Sequence, residues 1–456
     1  MKLAAVILAA GQGTRMKSNV PKVLHPIAGK PMVRYALDAA RAMGADKTIL
    51  VVGHGAEQVR AAVGTDVLFA EQTEQRGTGH AVLAARDPLR GKTDALLVTY
   101  ADMPLLRTET LQRLVDLYAS SRASITMLTV MAGDSMGFGR IVRNKRQRVL
   151  GIVEEADATP EQLAILELNC GVYCFDARWL WEHLPRLRPN GKKKEYYLTD
   201  LVAMAVKERA AISTIILDDA DEIIGINTRV HLARAEKIMR ARIGELLMQS
   251  GVTLVDPATT YIDAQVLIGM DTVIEPNTQI KGQTRIGANC RIGPNTLIQD
   301  AQIGEGCEVI ASVIRESMLE ERVLVGPWSD LRPGTHLARN VHIGNFGEVK
   351  NSFLGEGTHM GHFSYVGDAQ VGARVNIGAG TITANYDGKK KNRTVIGDDA
   401  FIGSDTVLRA PVTIGARAVT GAGSVVTKDV PPDTVAAGVP ARVIRKLNPE
   451  GEKAAR

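Results

Sequence analysis

The chain has 456 residues, 45% apolar and 23% charged, a globular composition that excludes disorder and, at about 150 residues per domain, allows two or three units. Its 55 Lys and Arg against 50 Asp and Glu leave a net charge of +5, a mild basic bias that suits anionic small substrates. Aromatic residues at 4% offer few rings for stacking bases, and no zinc-finger or arginine-rich pattern is present, so nucleic acid is not an expected partner.

Met1 to Gly11 carries one Lys and then a short apolar run that flows into a glycine loop. Without a cleavage-site pattern it reads as a first β-strand, Lys2 to Leu8, rather than a leader. No stretch reaches the roughly 18 apolar residues of a membrane helix, so a cytoplasmic protein with no membrane partner is expected. The four cysteines, Cys170, Cys174, Cys290 and Cys307, lack C-x-x-C spacing and read as reduced, mostly buried thiols.

The strand leads into Leu8-Ala9-Ala10-Gly11-Gln12-Gly13-Thr14-Arg15-Met16, with Pro21-Lys22 following. Glycines at a strand end let the backbone approach a ligand, and a run of free N–H groups there cradles an anion. Met16 stands where a dinucleotide fingerprint has its third glycine, and the Gly-Lys-Ser/Thr ending of a P-loop is missing. Further strands fall at Thr48 to Val52, Ala95 to Thr99 and Ile125 to Val130, with helix-period segments between them, which predicts a mostly parallel sheet covered on both faces. Asp102 follows the third of these strands, where a carboxylate can cap a turn or hold a hard divalent cation.

Thr228 to Gln249 carries Leu232, Ala235, Met239, Ile243 and Leu246 three and four apart and closes on Ser250-Gly251, which predicts a connecting helix. Beyond it the hydrophobic period changes to six: Ile262, Ile268, Ile274, Ile280, Ile286, Ile292 and Ile298, then, after a slip, Leu319, Val325, Leu331, Leu337, Ile343 and Val349, then Leu354, Met360 and Val366, then Ile396, Ile402, Leu408 and Ile414. A helix turning every 3.6 residues cannot keep such residues on one face. A coil in which each hexad is a short strand and a turn can, with three hexads per turn of a prism and about nine coils stacked as a solenoid. The Pro-rich, then charged residues after Asp429 read as a tail.

Polar clusters that interrupt the hexads are the places to seek chemistry. One is Arg332 to Gly334, Lys350 and His359 to Tyr365; the other is Asn376 to Thr381, Asn385 to Gly388 and the cationic Lys389-Lys390-Lys391, a loop replacing a hexad turn. Imidazole, with an ordinary pKa of about 6.5, suits a general base near neutral pH. His359 and His362 both lie in the first cluster.

The hexads resemble the hexapeptide-repeat acyltransferases, which implies a left-handed parallel β-helix. Gly11-x-Gly13-Thr14-Arg15-Met16 with Pro21-Lys22 resembles the sugar-1-phosphate nucleotidyltransferases, which implies an α/β Rossmann-like domain. Gln72, Gly77-Thr78-Gly79-His80, Tyr100-Ala101-Asp102, Gly137-Phe138-Gly139-Arg140, Val153-Glu154, Asn169 and Gly225-Ile226-Asn227 extend that likeness. Nearly the whole chain is similar to the bacterial bifunctional N-acetylglucosamine-1-phosphate uridyltransferase and glucosamine-1-phosphate N-acetyltransferase family. The resemblance implies a uridylyltransferase domain at 1–227, a linker helix at 228–250 and a β-helix acetyltransferase at 251–456 with a C-terminal tail.

It further implies that glucosamine 1-phosphate is acetylated by acetyl-CoA, and that N-acetylglucosamine 1-phosphate then takes UMP from UTP with loss of pyrophosphate, feeding peptidoglycan and lipopolysaccharide synthesis. In the first domain Arg15 and Lys22 would hold the triphosphate and Leu8, Ala9, Ala10 and Gly11 would line it. Gln72, Gly77 and Thr78 would read uracil, and Tyr100 and Ala101, beside Asp102, would also bind the nucleotide or sugar. Asp102 and Asn227 would bind Mg2+, and Gly139, Glu154 and Asn169 would hold the sugar. Ala101 stands where the family commonly has Gly.

In the second domain His362, in an intact Gly-His-x-x-Tyr-x-Gly-Asp, would be the base. Arg332, Lys350, Tyr365 and Asn376 would bind the acceptor, and Ala379, Asn385, Tyr386, Ser404 and Ala422 would meet acetyl-CoA, with Ser404 near the oxyanion. Gly438 stands where the family often has Arg before Val439-Pro440, which leaves Arg442 and Arg445 both open as the CoA-phosphate cation. A homotrimer is implied. Retention of Arg15, Lys22 and Asp102 argues against a chemistry-free exchange-factor subunit, and His362 with Asn385-Tyr386 argues against a single-activity pyrophosphorylase.

Overall fold

The computed structural model describes residues 1–134, 137–191 and 194–447, and the chain divides into two units, Met1–Met239 and Arg240–Arg456. In the first, β1 (Leu3–Leu8) is buried along its whole length because it lies inside the sheet between β2 (Lys47–Val52) and β4 (Ala95–Tyr100), parallel to both. Its alternate side chains serve two cores. Ala4, Val6 and Leu8 join Val82, Leu180 and Leu201 on one face, while Ala5 and Ile7 meet Val33, Leu37 and Val59 on the other. The helix Met32–Ala42 buries Met32, Val33, Ala36, Leu37 and Ala40, the spacing of an amphipathic face.

The expected strands are all present, but the sheet is mixed. With β3 (Leu68–Glu71), β5 (Ile125–Met131), β6 (Arg140–Arg143), β7 (Val149–Val153), β8 (Glu167–Asp176) and β9 (Ile212–Leu217), its order is β9-β5-β8-β4-β1-β2-β3, and the β6-β7 hairpin hangs on β8. β8 runs antiparallel to β4 and β5. Its register against β5 shifts at a bulge between Asn169 and Tyr173. The four cysteines are free and buried, as expected.

The predicted connecting helix is Arg229–Gln249, and Ile243 and Leu247 pack on the core of the second unit. That unit is a three-faced parallel β-helix, with twelve, ten and nine strands on its faces among the described residues. Most coils advance the chain by 16 to 18 residues, so that Ile280 pairs with Ile298, Val309 with Val325 and Leu337 with Leu354. These side chains point inward and are essentially fully buried, each contributing about 1.5–3 kcal/mol of transfer free energy. Beside the aliphatic ladders runs a hydroxyl ladder that the hexad period did not reveal. Thr278, Thr284, Thr335, Thr381, Thr406 and Ser424 each donate to a carbonyl three residues back, at 2.6–2.7 Å, satisfying turn acceptors that would otherwise be buried unpaired.

One coil breaks the rule: Val371 pairs with Ile396 and Ile377 with Ile402, an advance of 25 residues. The surplus forms a small antiparallel loop in which Tyr386 bridges to Lys391. Its knot is Asp387, whose carboxylate accepts from the backbone N–H of Lys390 and Lys389 and from the Asn392 amide, which together hold its pKa down to about 2. The tail expected after Asp429 begins later than the sequence suggested. Thr434–Gly438 continues the first face beside Val419–Thr420 and folds back on Ala441–Lys446, because Val435 and Ala436 still supply buried apolar side chains. Residues 448–456 lie outside the described residues.

Candidate active sites

At the carboxyl end of β1, Ala9 donates its N–H to Val51 O and Ala101 donates to Leu8 O, which draws Leu8, Ala9, Ala10 and Ala101 into one buried floor. Ala101 is fully buried, its methyl packed in the apolar layer behind that floor, so its departure from the family's Gly is accommodated. Gly13 adopts a left-handed conformation, φ 65°, and opens the short 3-10 turn Thr14–Met16. Met16 is the buried anchor of this turn, which leaves Arg15 exposed and without an ion pair among the described residues.

Lys22 is the centre of the site. Its ammonium donates to Asp102 Oδ2 at 2.5 Å and to Asn227 Oδ1 at 3.0 Å. Ile226 N–H donates to Asp102 O, tying the Asn227 loop to the end of β4. Two hard oxygens from separate segments thus converge on one positive charge, a donor set that fits Mg2+, which takes one or two protein oxygens and fills its remaining positions with water and phosphate. Among the described residues no cluster of three or more His, Cys, Asp or Glu offers a fuller cage.

Gln72 is buried and donates to Gly77 O at 3.1 Å, with His80 Nδ1 at 3.2 Å from the same amide nitrogen. Thr78 Oγ1 accepts from Leu198 N–H at 3.1 Å. These contacts join the segments holding Gln72, Gly77 and Thr78. Tyr100 feels the charges of both Asp102 and Glu154, and burial is the main cause that raises its phenol pKa far above the ordinary value. Glu154 Oε1 accepts from Thr199 Oγ1 at 2.7 Å. Burial pushes its carboxyl pKa up, and the Thr199 hydrogen bond opposes that shift. Asn169 N–H donates to Gly139 O at 2.9 Å. Asp102, Tyr100, Glu154, Gly139 and Asn169 are therefore brought together. Thr199 and Tyr173 carry no motif in the sequence, because their contacts with Glu154 and Asn169 exist only in the fold.

In the second unit, in-register pairing explains a scattered set. Ile377 pairs with Ile402 and Ile402 with Thr420, while His359, before Met360, pairs with Asn376, before Ile377. Two positions beyond Met360, Ile377, Ile402 and Thr420 stand His362, Ala379, Ser404 and Ala422, which thus form one column along a corner of the prism. His362 is exposed in that corner. His359 lies on the flat face, paired in the ladder between His342 and Asn376, its ring edge-on to that of His342 at 5.6 Å.

On the neighbouring face Arg332 donates to Glu348 at 2.7 Å. Lys350 meets Lys391 of the inserted loop, and that second ammonium is the main cause lowering the Lys350 pKa. Asn385 Nδ2 donates to Asp368 Oδ2 at 2.6 Å and contacts Tyr365 Oη at 3.3 Å, while Asn351 holds the other Asp368 oxygen at 2.6 Å. Arg332, Lys350, Tyr365, Asn385 and Lys391 therefore share one region. Lys391 was visible only as part of a charge run. Tyr386 is exposed on the loop, and Arg442 Nη1 donates to Ala441 O at 2.9 Å.

A left-handed glycine turn beside the Lys22, Asp102 and Asn227 cluster on one unit, and a hexad corner with an exposed histidine on the other, are the surroundings that a nucleotidyltransferase and an acyltransferase each need. Residues 5–196 match the MobA-like NTP transferase domain, and residues 265–300 and 393–428 match the bacterial transferase hexapeptide of six repeats, which makes the coil a left-handed β-helix. The chain is 49% identical to the bifunctional protein GlmU of Trichlorobacter lovleyi, over 95% of both chains. It is 48% identical to that of Pelobacter propionicus, over 95% of both, and 46% identical to that of Streptococcus equi subsp. zooepidemicus, over 98% of this chain and 97% of that one. The chain belongs to the bifunctional GlmU family and is an enzyme with uridyltransferase and acetyltransferase activities that make UDP-N-acetylglucosamine. Among the described residues no helix is long and apolar enough to cross a membrane.

Proposed function

We propose the following division of labour, carried by one observation above all: Lys22 bridges Asp102 and Asn227 beside the glycine turn, while His362 heads the Ala379-Ser404-Ala422 column on another unit. In the acetyltransferase, Arg332, Lys350 and Lys391 neutralise the phosphate of glucosamine 1-phosphate, with Tyr365 and Asn376 beside the sugar. His362 takes a proton from the amine as its lone pair attacks the acetyl carbonyl. The small residues of the corner leave room for the pantetheine arm, Ser404 lies near the oxyanion, and Asn385 and Tyr386 border the same groove. The C–N bond forms first, giving the oxyanion; the thioester C–S bond then breaks, and the proton taken by His362 passes to the departing sulfur so that CoA leaves as thiol.

In the uridyltransferase, the phosphate oxygen of N-acetylglucosamine 1-phosphate attacks the α-phosphorus of UTP and pyrophosphate departs. The protein's part is alignment and charge neutralisation, as in other phosphoryl-type transfers. Arg15 and the Gly11–Thr14 backbone hold the triphosphate, and Lys22 shifts from Asp102 to the phosphates. Gln72, Gly77 and Thr78 receive uracil; Gly139, Glu154 and Asn169 receive the sugar. Mg2+, held by Asp102 and Asn227, supplies charge neutralisation for the phosphates.

The assembly proposed is a homotrimer in the cytoplasm, with a second copy seated at the His362 corner. Trp328, Phe346 and Phe363 support it. They stand three positions beyond Val325, Ile343 and Met360, so they form a column beside His362, and they are 62%, 56% and 56% exposed. A chelator titration tests the reading. With EDTA, uridylyl transfer should stop and return with Mg2+ while acetylation continues, and light scattering should give three chains. Acetylation lost with metal, or an active monomer, would overturn it.

A further inference from the structure

The bulge in β8 does specific work. In a regular strand residues four apart lie about 13 Å from each other, yet Tyr173 Oη donates to Asn169 Oδ1 at 2.9 Å. The register of β8 against β5 breaks between these two residues. Gly171, between them, adopts φ +76° and lies against the Tyr100 ring, where a Cβ would come within 2.9 Å of Tyr100 Cε2. A bulge bends the strand and re-aims its side chains; here it brings the phenol back onto the amide.

Asn169 Oδ1 also accepts from Gly171 N–H at 3.2 Å, so both of its lone pairs are used. The amide nitrogen has no acceptor among the described residues and is not sealed from solvent. The amide is thus locked with its oxygen inward and its two N–H donors open. Nearby Glu154 presents the opposite polarity, an acceptor held on one oxygen by Thr199. Tyr173 is 1% exposed and stacks on Phe175 at a ring distance of 5.2 Å.

We propose that Tyr173 is a positioning residue for the sugar phosphate in uridylyl transfer: it fixes the flip of the Asn169 amide, so that this subsite donates to an acceptor oxygen of the sugar. The proposal rests on the reading that Asn169 and Glu154 face the sugar. It explains why a fully buried tyrosine stands at a bulge beside the site, where phenylalanine would fill the same space.

The test uses the full chain. Tyr173→Phe should raise KM for N-acetylglucosamine 1-phosphate about tenfold, with kcat and the KM for UTP within twofold of wild type and acetylation unchanged. Asn169→Ala should raise the same KM at least as much, and the double variant should add little further, since the two residues act as one unit. An unchanged KM in Tyr173→Phe, with a raised KM in Asn169→Ala, would refute the positioning role and leave the sugar subsite standing. No effect from Asn169→Ala would refute the subsite itself. Equal rises in both substrates' KM values, with a lowered Tm, would mark Tyr173 as structural only and overturn the proposal.

Discussion

Gly13→Ala isolates the geometry of the phosphate turn. At φ +65° an L side chain carries about 1–2 kcal/mol of strain. A methyl here would lie 2.7 Å from Lys22 Cβ, where carbon atoms prefer about 3.5–4.0 Å, so the backbone must move by about 1 Å. The contact falls on the root of the Lys22 side chain, whose tip bridges Asp102 and Asn227, so the movement is passed to the ammonium. A displacement of that size costs about 10²-fold in rate, and the strain lowers the Tm of the first unit by about 2–8 °C. Gly11→Ala is the control: it has open space around the new methyl and no left-handed backbone, so its Tm should stay at wild type while the methyl, facing the nucleotide side, raises the KM for UTP. Both variants should be followed by calorimetry and by pyrophosphate release, with acetylation measured in parallel. A Gly13→Ala enzyme with wild-type uridylyl transfer and Tm would show that the left-handed turn does not set the position of Lys22.

Three other outcomes are expected. Glu154 has a carboxyl pKa raised mainly by burial, so the native state keeps a proton that the unfolded chain releases, and stability falls as pH rises above the ordinary carboxylate value of about 4.3. Glu154→Gln should therefore gain Tm at pH 7 and lose that gain by about pH 4, and a constant difference across this range would contradict the assignment. Ile298→Ala, in the ladder between Ile280 and Ile314, should cost about 2–5 kcal/mol in denaturant unfolding of the β-helix unit while uridylyl transfer persists; a cost below about 1 kcal/mol would contradict the packing. Lys391→Ala removes the neighbouring charge that lowers the Lys350 pKa and one of three cations for the acceptor phosphate. The KM for glucosamine 1-phosphate should rise about tenfold with kcat retained, and an unchanged KM would take Lys391 out of the site.

What the sequence disclosed followed from regular spacing. The isoleucines six apart located the inward ladders, with Ile262, Ile280 and Ile298 stacked in register, and the Leu232 to Leu246 spacing located the linker helix. The phase slips proved to be coils of 16 and 17 residues, and the one large slip was the loop from Asn385 to Asn392. The antiparallel β8 was hidden because Asn169 and Gly171 interrupt the continuous apolar run that marks the equally buried β1 and β4. Resemblance supplied the site residues one by one, but neither spacing nor resemblance indicated that Tyr173 reaches Asn169 across a bulge, that Lys391 faces Lys350, or that Lys22 sits between Asp102 and Asn227. Those are contacts between residues up to 205 positions apart, decided by tertiary pairing and not by local pattern.

If each unit carries its own active site, the uridylyl site within one chain and the acetyl site at the His362 corner, a crossed pair of single variants separates the two activities. With both half-reactions assayed on the full chain, Asp102→Ala should abolish uridylyl transfer and keep wild-type acetylation. His362→Ala should lower acetylation by the ~10²–10⁴-fold of a lost general base and keep wild-type uridylyl transfer. A folded single variant that loses both activities, or a His362→Ala enzyme that acetylates normally, would rule out separate sites at Asp102 and His362.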